Sequence, residues 1–329
     1  MERTIRWGIL GTGGIAQKFT RDLRLLPQAE VAAVGSRTQD RAEAFGRENG
    51  PIARCHGSYE ALAADPGVDV IYVATPHPFH HRDTLLCLEA GKHVLCEKPF
   101  ALNAREAAEM AAAARRNKRF LMEGMWTRFL PMTVAVRKMM AEKTIGELRL
   151  FEANFGFSVG DNLTGRHLNP ALGGGALLDV GVYVTSYAHM LFGPPEKIAG
   201  HALIGETGVD EQAGILLGFP RGRFALLTSA VRTRIGQEAA LYGAAGIIRM
   251  NPFWSGYKMT LSVTGQPDQL LEFPFQGTGM NCEAAEVMRC IADGRTESDI
   301  LPLDETLRVM QTLDTLRAQW GLTYPMETL

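Results

Sequence analysis

Short apolar runs alternate with amphipathic stretches through the first 125 residues of the chain. The runs have the continuous hydrophobicity of strands buried on both faces, and the stretches between them have the apolar spacing of helices. Strands are predicted at residues 5–10, 31–36, 69–74, 93–96 and 119–122, and helices at 14–25, 39–49, 58–64, 80–90 and 103–117. Because the connections are short, this alternation predicts βαβ units in a mostly parallel, doubly wound sheet.

The pattern changes after residue 125, where short strands follow one another with Gly and Pro between them. Strands are predicted at residues 147–158, 196–206, 211–219, 223–231, 235–242, 247–251 and 257–264, and helices at 131–141, 175–192, 280–293 and 304–319. Successive strands joined by turns indicate an antiparallel sheet. We therefore expect an α/β protein of two domains, with residues 1–125 in the first and residues 126–329 in an α+β second domain.

A glycine motif joins the first predicted strand to the first predicted helix. In Gly11-x-Gly13-x-x-Ala16, the first glycine permits a tight turn, the second lets backbone approach a pyrophosphate, and the alanine allows close packing of helix and strand. The helix N-terminus then offers amide groups to the anion. In a chain with 35 glycines the motif alone is weak, but the flanking strand and helix strengthen it. We expect a Rossmann domain whose residues Gly11, Thr12, Gly13, Gly14 and Ile15 bind a dinucleotide.

The end of the second strand indicates which dinucleotide is preferred. An NAD site usually has Asp or Glu here for the ribose hydroxyls, whereas this chain has Ser36, Arg37 and Thr38, with Arg41 one helical turn later. These groups suit a 2′-phosphate, which a carboxylate would repel. The alternatives are that Arg37 is an ordinary solvated residue and that Asp40 binds the ribose. The pattern favours NADP over NAD.

Composition excludes several other classes. The chain has 46% hydrophobic and 21% charged residues and a formal net charge of −2, without a basic block that would indicate nucleic-acid binding. No apolar run has the length of a membrane span, and we expect no secretory signal. The five cysteines are scattered without metal-ligand spacing. We therefore expect a cytoplasmic protein with reduced thiols and no metal.

A lysine follows the fourth predicted strand, in Glu97-Lys98-Pro99. It stands at the carboxyl edge of the sheet, where open α/β sheets bind ligands. A lysine there can hold a substrate hydroxyl and lower the pKa of a neighbouring group. The alternative is a surface lysine at a strand end.

Three motifs in this order, Gly11-x-Gly13-x-x-Ala16, Glu97-Lys98-Pro99 and Gly173-Gly-Gly-Ala-Leu-Leu-Asp179-Val-Gly-Val-Tyr183, resemble those of the GFO/IDH/MocA oxidoreductases over essentially the whole chain. That resemblance implies a Rossmann domain, then a substrate-binding and oligomerisation domain with a large open, mostly antiparallel sheet. It also implies an NAD(P)-dependent enzyme of sugars, polyols or diols. Many members have His where this chain has Tyr183. With residues 122–129 and 75–80, the tyrosine makes the chain similar to the dimeric dihydrodiol dehydrogenase and D-xylose 1-dehydrogenase (NADP) group.

The resemblance implies that Lys98 and Tyr183 converge at the cofactor. A free tyrosine titrates near pH 10, so a nearby lysine would have to stabilise the tyrosinate for it to act as general base. Asp179 would orient Lys98 or bind a substrate hydroxyl, although Tyr183 and its neighbours could equally be core residues. Further cofactor contacts are expected from Thr75, Pro76, His77, His80, Glu97, Lys98, Trp126 and Arg128. Substrate contacts are expected from His77, Trp126, Phe157, Arg166, His167, Asn169, Asp179 and Tyr183.

The sequence thus predicts an enzyme that transfers hydride between NADP and a carbohydrate or cyclic diol, at an aldose C1 or a trans-dihydrodiol hydroxyl. An NADPH-dependent keto-sugar reductase and a catalytically silent NADP-binding regulator are the alternatives. The glycines at 173–175 would let backbone approach a ligand or simply lead into a helix. A homodimer is expected through an apolar free face of the second sheet, for which Val231, Leu241 and Ile248 are candidates.

Overall fold

The computed structural model describes residues 4–327, which form two compact units. The first unit contains the chain up to Phe129 together with Gln276–Thr306, and the second contains Leu130–Phe275 together with the chain from Leu307. The sequence predicts a single boundary after residue 125 and does not anticipate the return at Gln276. Asp22 explains this return, because its carboxylate accepts hydrogen bonds from the backbone amides of Thr278 and Met280 at 2.9–3.0 Å.

The first unit is built on six parallel strands. Its elements are β1 Ile5–Leu10, α1 Gly14–Leu23, β2 Ala29–Gly35, α2 Gln39–Glu48, β3 Arg54–His56, α3 Tyr59–Ala64, β4 Val70–Val73, α4 His80–Glu89, β5 His93–Glu97, α5 Ala104–Asn117 and β6 Leu121–Gly124, with α8 Met280–Ala292 added from the later segment. The strand order β3-β2-β1-β4-β5-β6 is that of the Rossmann fold and confirms the predicted doubly wound sheet. The sequence pattern missed β3, whose three residues Arg-Cys-His form no apolar run.

The second unit is built on eight strands that are antiparallel except where β7 pairs with β10. Its elements are α6 Pro131–Ala141, β7 Leu148–Gly156, α7 Val182–Phe192, β8 Lys197–Ile204, β9 Asp210–Phe219, β10 Arg223–Ala230, β11 Ala239–Gly243, β12 Gly246–Met250, β13 Lys258–Val263 and β14 Gln269–Glu272, with most of α9 Leu303–Trp320. The strand order is β14-β13-β12-β11-β7-β10-β9-β8. This large mixed, mostly antiparallel sheet confirms the predicted fold class.

The two faces of this sheet differ in exposure. Val231, Leu241 and Ile248 are all fully buried, so the prediction that they line a free face is wrong. Successive residues along a strand point to opposite faces of the sheet. On the other face from the buried positions, Leu216 and Leu226 are directly paired and exposed. The sequence pattern predicts that residues alternate between the two faces, but it does not predict which face packs against helix α7.

Candidate active site

The loop between β1 and α1 has the form that a dinucleotide pyrophosphate requires. Gly11 has a φ of +107°, and a Cβ atom built there would lie 2.8 Å from the carbonyl oxygen of Ala74, so a side chain does not fit. Gly13 is the N-cap residue of α1. Cβ atoms built at Gly13 and Gly14 would meet no atom of residues 4–327 within 4 Å. The space before the first amides of α1 is therefore open to a phosphate group.

The end of β2 carries the residues predicted to select the cofactor. Ser36 is buried there, and its hydroxyl oxygen lies 3.3 Å from that of Thr12. Arg37, Thr38 and Arg41 are exposed. Two guanidinium groups and a hydroxyl group therefore stand in solvent beside the strand end, an arrangement that suits a 2′-phosphate.

A third arginine in this region was not predicted from the sequence. Burial, together with the charge of Asp83, raises the pKa of Tyr59, and the guanidinium groups of Arg37, Arg82 and Arg41 oppose that shift. All three arginines therefore lie close enough to one hydroxyl to act on it electrostatically. Arg82 belongs to α4 and donates to the carboxylate of Asp83 at 2.9 Å, so no motif on β2 could have revealed it.

A buried histidine connects the loop after β4 to the peptide that follows Lys98. The Nδ1 atom of His80 lies 2.8 Å from the carbonyl oxygen of Pro99, and Nε2 lies 2.8 Å from that of Thr75. Burial lowers the pKa of His80 to about 4. The two carbonyl oxygens raise this pKa, and the charge of Lys98 lowers it. The His80 ring therefore holds two backbone segments together, one of them next to Lys98. His77 is also buried, with its ring 5.8 Å from that of His80.

Buried carboxyl groups lie behind the lysine. Glu97 accepts from the hydroxyl of Tyr72 and, at 3.2 Å, from the backbone amide of Lys98. Burial raises the pKa of Glu97. Burial also raises the pKa of Glu123 to about 7 and raises the pKa of Glu283 well above its usual value. Glu97 thus fixes the end of β5, from which Lys98 projects. Glu123 and Glu283 were not predicted from the sequence because neither belongs to a motif of fixed spacing.

Trp126 and Arg128 lie in a short 3₁₀ turn of the first unit, Trp126–Phe129. The Nζ atom of Lys18 is 4.8 Å from the centre of the Trp126 ring. Arg128 is 2% exposed, and its guanidinium donates to Glu305 at 2.7 Å and to the carbonyl oxygen of Ile300 at 3.1 Å. These contacts brace the segment after α8, and the assignment of Arg128 to cofactor binding stays a prediction.

In the second unit, the predicted helix at 175–192 divides into a π-helical turn, Leu177–Gly181, and α7. Asp179 lies in the π turn and is buried. Its carboxylate oxygens are 3.3 Å from a guanidinium nitrogen of Arg166 and 3.6 Å from Nε2 of His167. Phe157 packs edge-on against His167, with ring centres 5.3 Å apart. The structure thus brings together four of the residues predicted to contact substrate.

Aromatic side chains surround Tyr183, which follows Asp179 by one turn. The Tyr183 ring lies 5.2 Å from Phe155 and 6.1 Å from Trp254, both edge-on. Phe155 and Trp254 stack on each other at 4.7 Å, and the indole Nε1 of Trp254 donates to Gln237 at 2.9 Å. Trp254 could not be predicted from the sequence, because it lies in an irregular loop between β12 and β13.

Asn169 has a local role. Its side-chain oxygen accepts from the backbone amide of Ala171 at 2.9 Å and so caps the short turn Pro170–Leu172. Substrate binding by Asn169 stays a prediction, as do the assigned roles of Ile15, Thr75, Pro76, His77, His80, Glu97 and Trp126. Within residues 4–327, no helix is long and apolar enough to cross a membrane. No group of three or more His, Cys, Asp or Glu side chains in that range could hold a metal ion.

Comparison with known proteins is consistent along the whole chain. Residues 5–125 match the family model described as oxidoreductase family, NAD-binding Rossmann fold, and residues 133–249 match the GFO/IDH/MocA C-terminal domain. The chain is 38% identical to trans-1,2-dihydrobenzene-1,2-diol dehydrogenase of Homo sapiens over 335 residues, which cover 98% of this chain and 99% of the relative. The enzyme of that name from Bos taurus is 39% identical over 336 residues, with the same coverage.

Two solved structures share the fold. Aldose-aldose oxidoreductase from Caulobacter crescentus, complexed with glycerol, has a TM-score of 0.87 and 27% identity over 95% of this chain and 96% of its own. A 3-ketoreductase from Actinomadura kijaniata in complex with NADP and TDP-benzene has a TM-score of 0.85 and 26% identity over 96% of this chain and 98% of its own. The motifs, the two domain folds and the full-length relatives agree: the chain belongs to the GFO/IDH/MocA family and is an NAD(P)-dependent dehydrogenase or reductase acting on CH–OH groups.

Proposed function

We propose that this enzyme oxidises a hydroxyl group of a trans-dihydrodiol with NADP as hydride acceptor, and that the C1 hydroxyl of an aldose is its second substrate class. Relatives that match over 98% of this chain are named dihydrodiol dehydrogenases. The observation that carries the choice of substrate is the aromatic surface that Phe155 and Trp254 form around Tyr183. An unsaturated carbocycle can pack on such a surface with little loss of hydration, whereas the hydroxyl-rich faces of an aldose would lose more.

For the cofactor we propose NADP, held by the glycine loop and selected at the end of β2. The open space at Gly13 and Gly14 fits the pyrophosphate. The exposed arginines Arg37 and Arg41 fit the 2′-phosphate, and Arg82 adds positive charge in the same region. A bound nicotinamide supplies the hydride acceptor for the reaction.

We assign the proton transfer to Tyr183 and its electrostatic support to Lys98. As the C–H hydride leaves the substrate carbon, the O–H proton passes to the tyrosinate oxygen, and the carbon–oxygen bond becomes a carbonyl. The ammonium group of Lys98 stabilises the tyrosinate. Asp179, whose charge Arg166 compensates, orients Lys98 or holds a second substrate hydroxyl. The aromatic neighbours of Tyr183 exclude water from this step.

A second candidate is an NADPH-dependent reductase of keto-sugars. The 3-ketoreductase of similar fold, with NADP and TDP-benzene bound, supports this candidate. The same tyrosine would then act as acid and donate its proton to the carbonyl oxygen. A catalytically silent NADP-binding regulator is the non-enzymatic alternative that the activity measurement also tests.

We further propose a homodimer that forms through the exposed face of the second sheet. Leu203, Leu216, Phe224, Leu226 and Leu270 are each 37–63% exposed on or beside this sheet. A second copy can present the same apolar side chains in return, so that one apolar patch covers the other across a twofold axis.

Absorbance at 340 nm tests the function directly. NADP and NAD are compared at saturating concentration against trans-dihydrodiols, D-xylose, D-glucose and inositols. NADP-linked oxidation of a dihydrodiol, faster than that of any aldose, is the expected result. Turnover with NAD alone would contradict the cofactor assignment. NADPH oxidation by keto-sugars without alcohol oxidation would establish the reductase, and NADPH binding without any turnover would favour the regulator.

A further inference from the structure

A buried carboxylate from another strand meets the backbone where the π turn begins. Asp210, the first residue of β9, is fully buried. Its Oδ2 atom accepts a hydrogen bond from the backbone amide of Leu177 at 2.6 Å, and the amide of Ala176 also donates to this carboxylate. The first amides of a helix have no partner within the helix itself. Asp210 supplies that partner for the helical segment on which Asp179 lies.

The glycine run before this segment is shaped by the same carboxylate. Gly175 has a φ of +116°, and a Cβ atom built there would lie 2.2 Å from Oδ1 of Asp210. On the other side, the hydroxyl of Tyr324 donates to the carbonyl oxygen of Gly174 at 2.7 Å, and the amide of Gly175 donates to that of His167 at 2.8 Å. In the structure these glycines thus serve the close approach of backbone to Asp210 and the turn into the helix.

Hydrogen bonds in a π turn span five residues, one more than in an α-helix, and such turns are frequent at functional sites. The extra residue changes the direction in which every following side chain points. The anchorage of the first amide of the turn therefore determines how Asp179, and Tyr183 one turn later, are oriented. Two independent features, the amide contact at Leu177 and the obligatory glycine at position 175, fix this anchorage at Asp210.

We propose that Asp210 is a positioning residue for catalysis: its carboxylate holds the start of the π turn and so sets the orientation of Asp179 and Tyr183. This inference rests on the proposed function, in which those two residues act on the substrate. A negative charge is also favourable at the positive end of a helix. The charged or titratable side chains that face Asp210 are Arg317 of α9 and Tyr324.

The substitution Asp210→Asn tests the proposal, because asparagine keeps the size and loses the charge and one acceptor. Glu211→Gln is the matched control, since it neutralises the next carboxylate on β9, whose partner is Arg232. Assays are run at pH 8.5, since burial raises the pKa of Asp210 to about 7 and the wild-type carboxylate is then ionised. We expect kcat of D210N to fall about 10- to 100-fold, the effect of a misplaced catalytic group. The KM for NADP and the activity of E211Q should stay unchanged.

Hydrogen–deuterium exchange separates this inference from the proposed function. Amides of residues 177–181 should exchange faster in D210N than in wild type, whether or not a substrate has been found, and those of residues 93–97 should not change. Equal exchange at residues 177–181 would overturn the anchorage. Faster exchange with full kcat on an active substrate would overturn the positioning role. If D210N does not fold, Gly175→Ala displaces the same carboxylate without removing its charge, because the added Cβ atom would lie 2.2 Å from Oδ1 of Asp210. An unchanged kcat in G175A would overturn the proposal.

Discussion

The ring of Tyr183 packs edge-on against Phe155, with their centres 5.2 Å apart, and both rings contact Trp254. The phenol that we assign to proton transfer is thus oriented by aromatic packing from two other elements, β7 and the loop after β12. Such packing fixes the side chain in one direction and keeps bulk water away from it.

Loss of the Tyr183 hydroxyl should abolish most turnover and leave cofactor binding intact. For Tyr183→Phe we expect kcat to fall about 10²- to 10⁴-fold, the usual contribution of a general acid or base. The Kd for NADPH, measured by fluorescence titration, should not change. Tyr187→Phe is the matched control, because Tyr187 lies one turn later on α7 and its hydroxyl contacts the sulfur of Met250 at 3.6 Å. Near-wild-type turnover of Y183F would contradict the assignment.

The choice of NADP should depend on the arginines after β2. In the double variant Arg37→Ala, Arg41→Ala we expect the KM for NADP to rise at least about tenfold, since each charge-assisted contact to the phosphate contributes more than 1 kcal/mol. The KM for NAD should stay within about twofold, because NAD lacks that phosphate. Arg47→Ala is the control, because Arg47 lies beside Glu43 on the exposed side of α2, the helix that also contains Arg41. A parallel loss of both cofactors would indicate a general effect on the domain.

Much of this fold could be predicted from local sequence. The predicted bounds of β1 and α6 agree with the structure at both ends. A strand buried on both faces leaves a continuous apolar run in the sequence, and a helix buried along one stripe leaves apolar residues at helical spacing. The pairing of α8 with the first unit could not be predicted, because it depends on the contact of Asp22 with Thr278, 256 residues away.

The candidate site was predictable only where a motif preserves it. Glycine spacing indicated the cofactor loop, the position after the fourth strand indicated Lys98, and the resemblance to a family indicated Asp179 and Tyr183. Trp254 and Asp210 could not be predicted, because each acts through a tertiary contact with no fixed sequence spacing. The prediction that Leu241 and Ile248 line a free face is wrong because alternation alone does not reveal which face a helix covers, and Val231 lies in a bend just after β10.

The two glycines at either end of the cofactor loop should respond differently to a methyl group. Gly11→Ala introduces a Cβ atom 2.8 Å from a backbone oxygen at a φ of +107°, whereas Gly14→Ala meets no described atom within 4 Å. We expect G11A to lose about 1–3 kcal/mol of unfolding free energy and G14A to lose less than about 1 kcal/mol. Urea unfolding without cofactor measures both. Equal stability of the two variants would contradict the strained turn.

Acid should destabilise the first unit through His80. Because burial lowers the pKa of His80 from 6.5 to about 4, the unfolded chain binds a proton before the folded chain as the pH falls. The stability that His80 contributes is therefore present above pH 6.5 and is lost between pH 6.5 and about 4, a loss of about 3 kcal/mol at 1.36 kcal/mol per pKa unit. Urea unfolding of His80→Asn should depend less steeply on pH over this window. His81→Asn, on the same helix, is the control, and identical slopes for H80N and wild type would exclude His80 as the cause.

The exposed sheet face should hold two copies of the chain together. Leu216 and Leu226 are paired across β9 and β10 and are 46% and 43% exposed, so a charge at Leu226 would be buried by a second copy seated there. Burying an unpaired charge costs several kcal/mol, and we therefore expect Leu226→Glu to be monomeric where wild type is dimeric. Light scattering coupled to size exclusion gives both masses. Leu25→Glu replaces a leucine of similar exposure, 42%, in the first unit and should stay dimeric. A dimeric L226E would place the self-association elsewhere on the chain, and a monomeric wild type would contradict the homodimer itself.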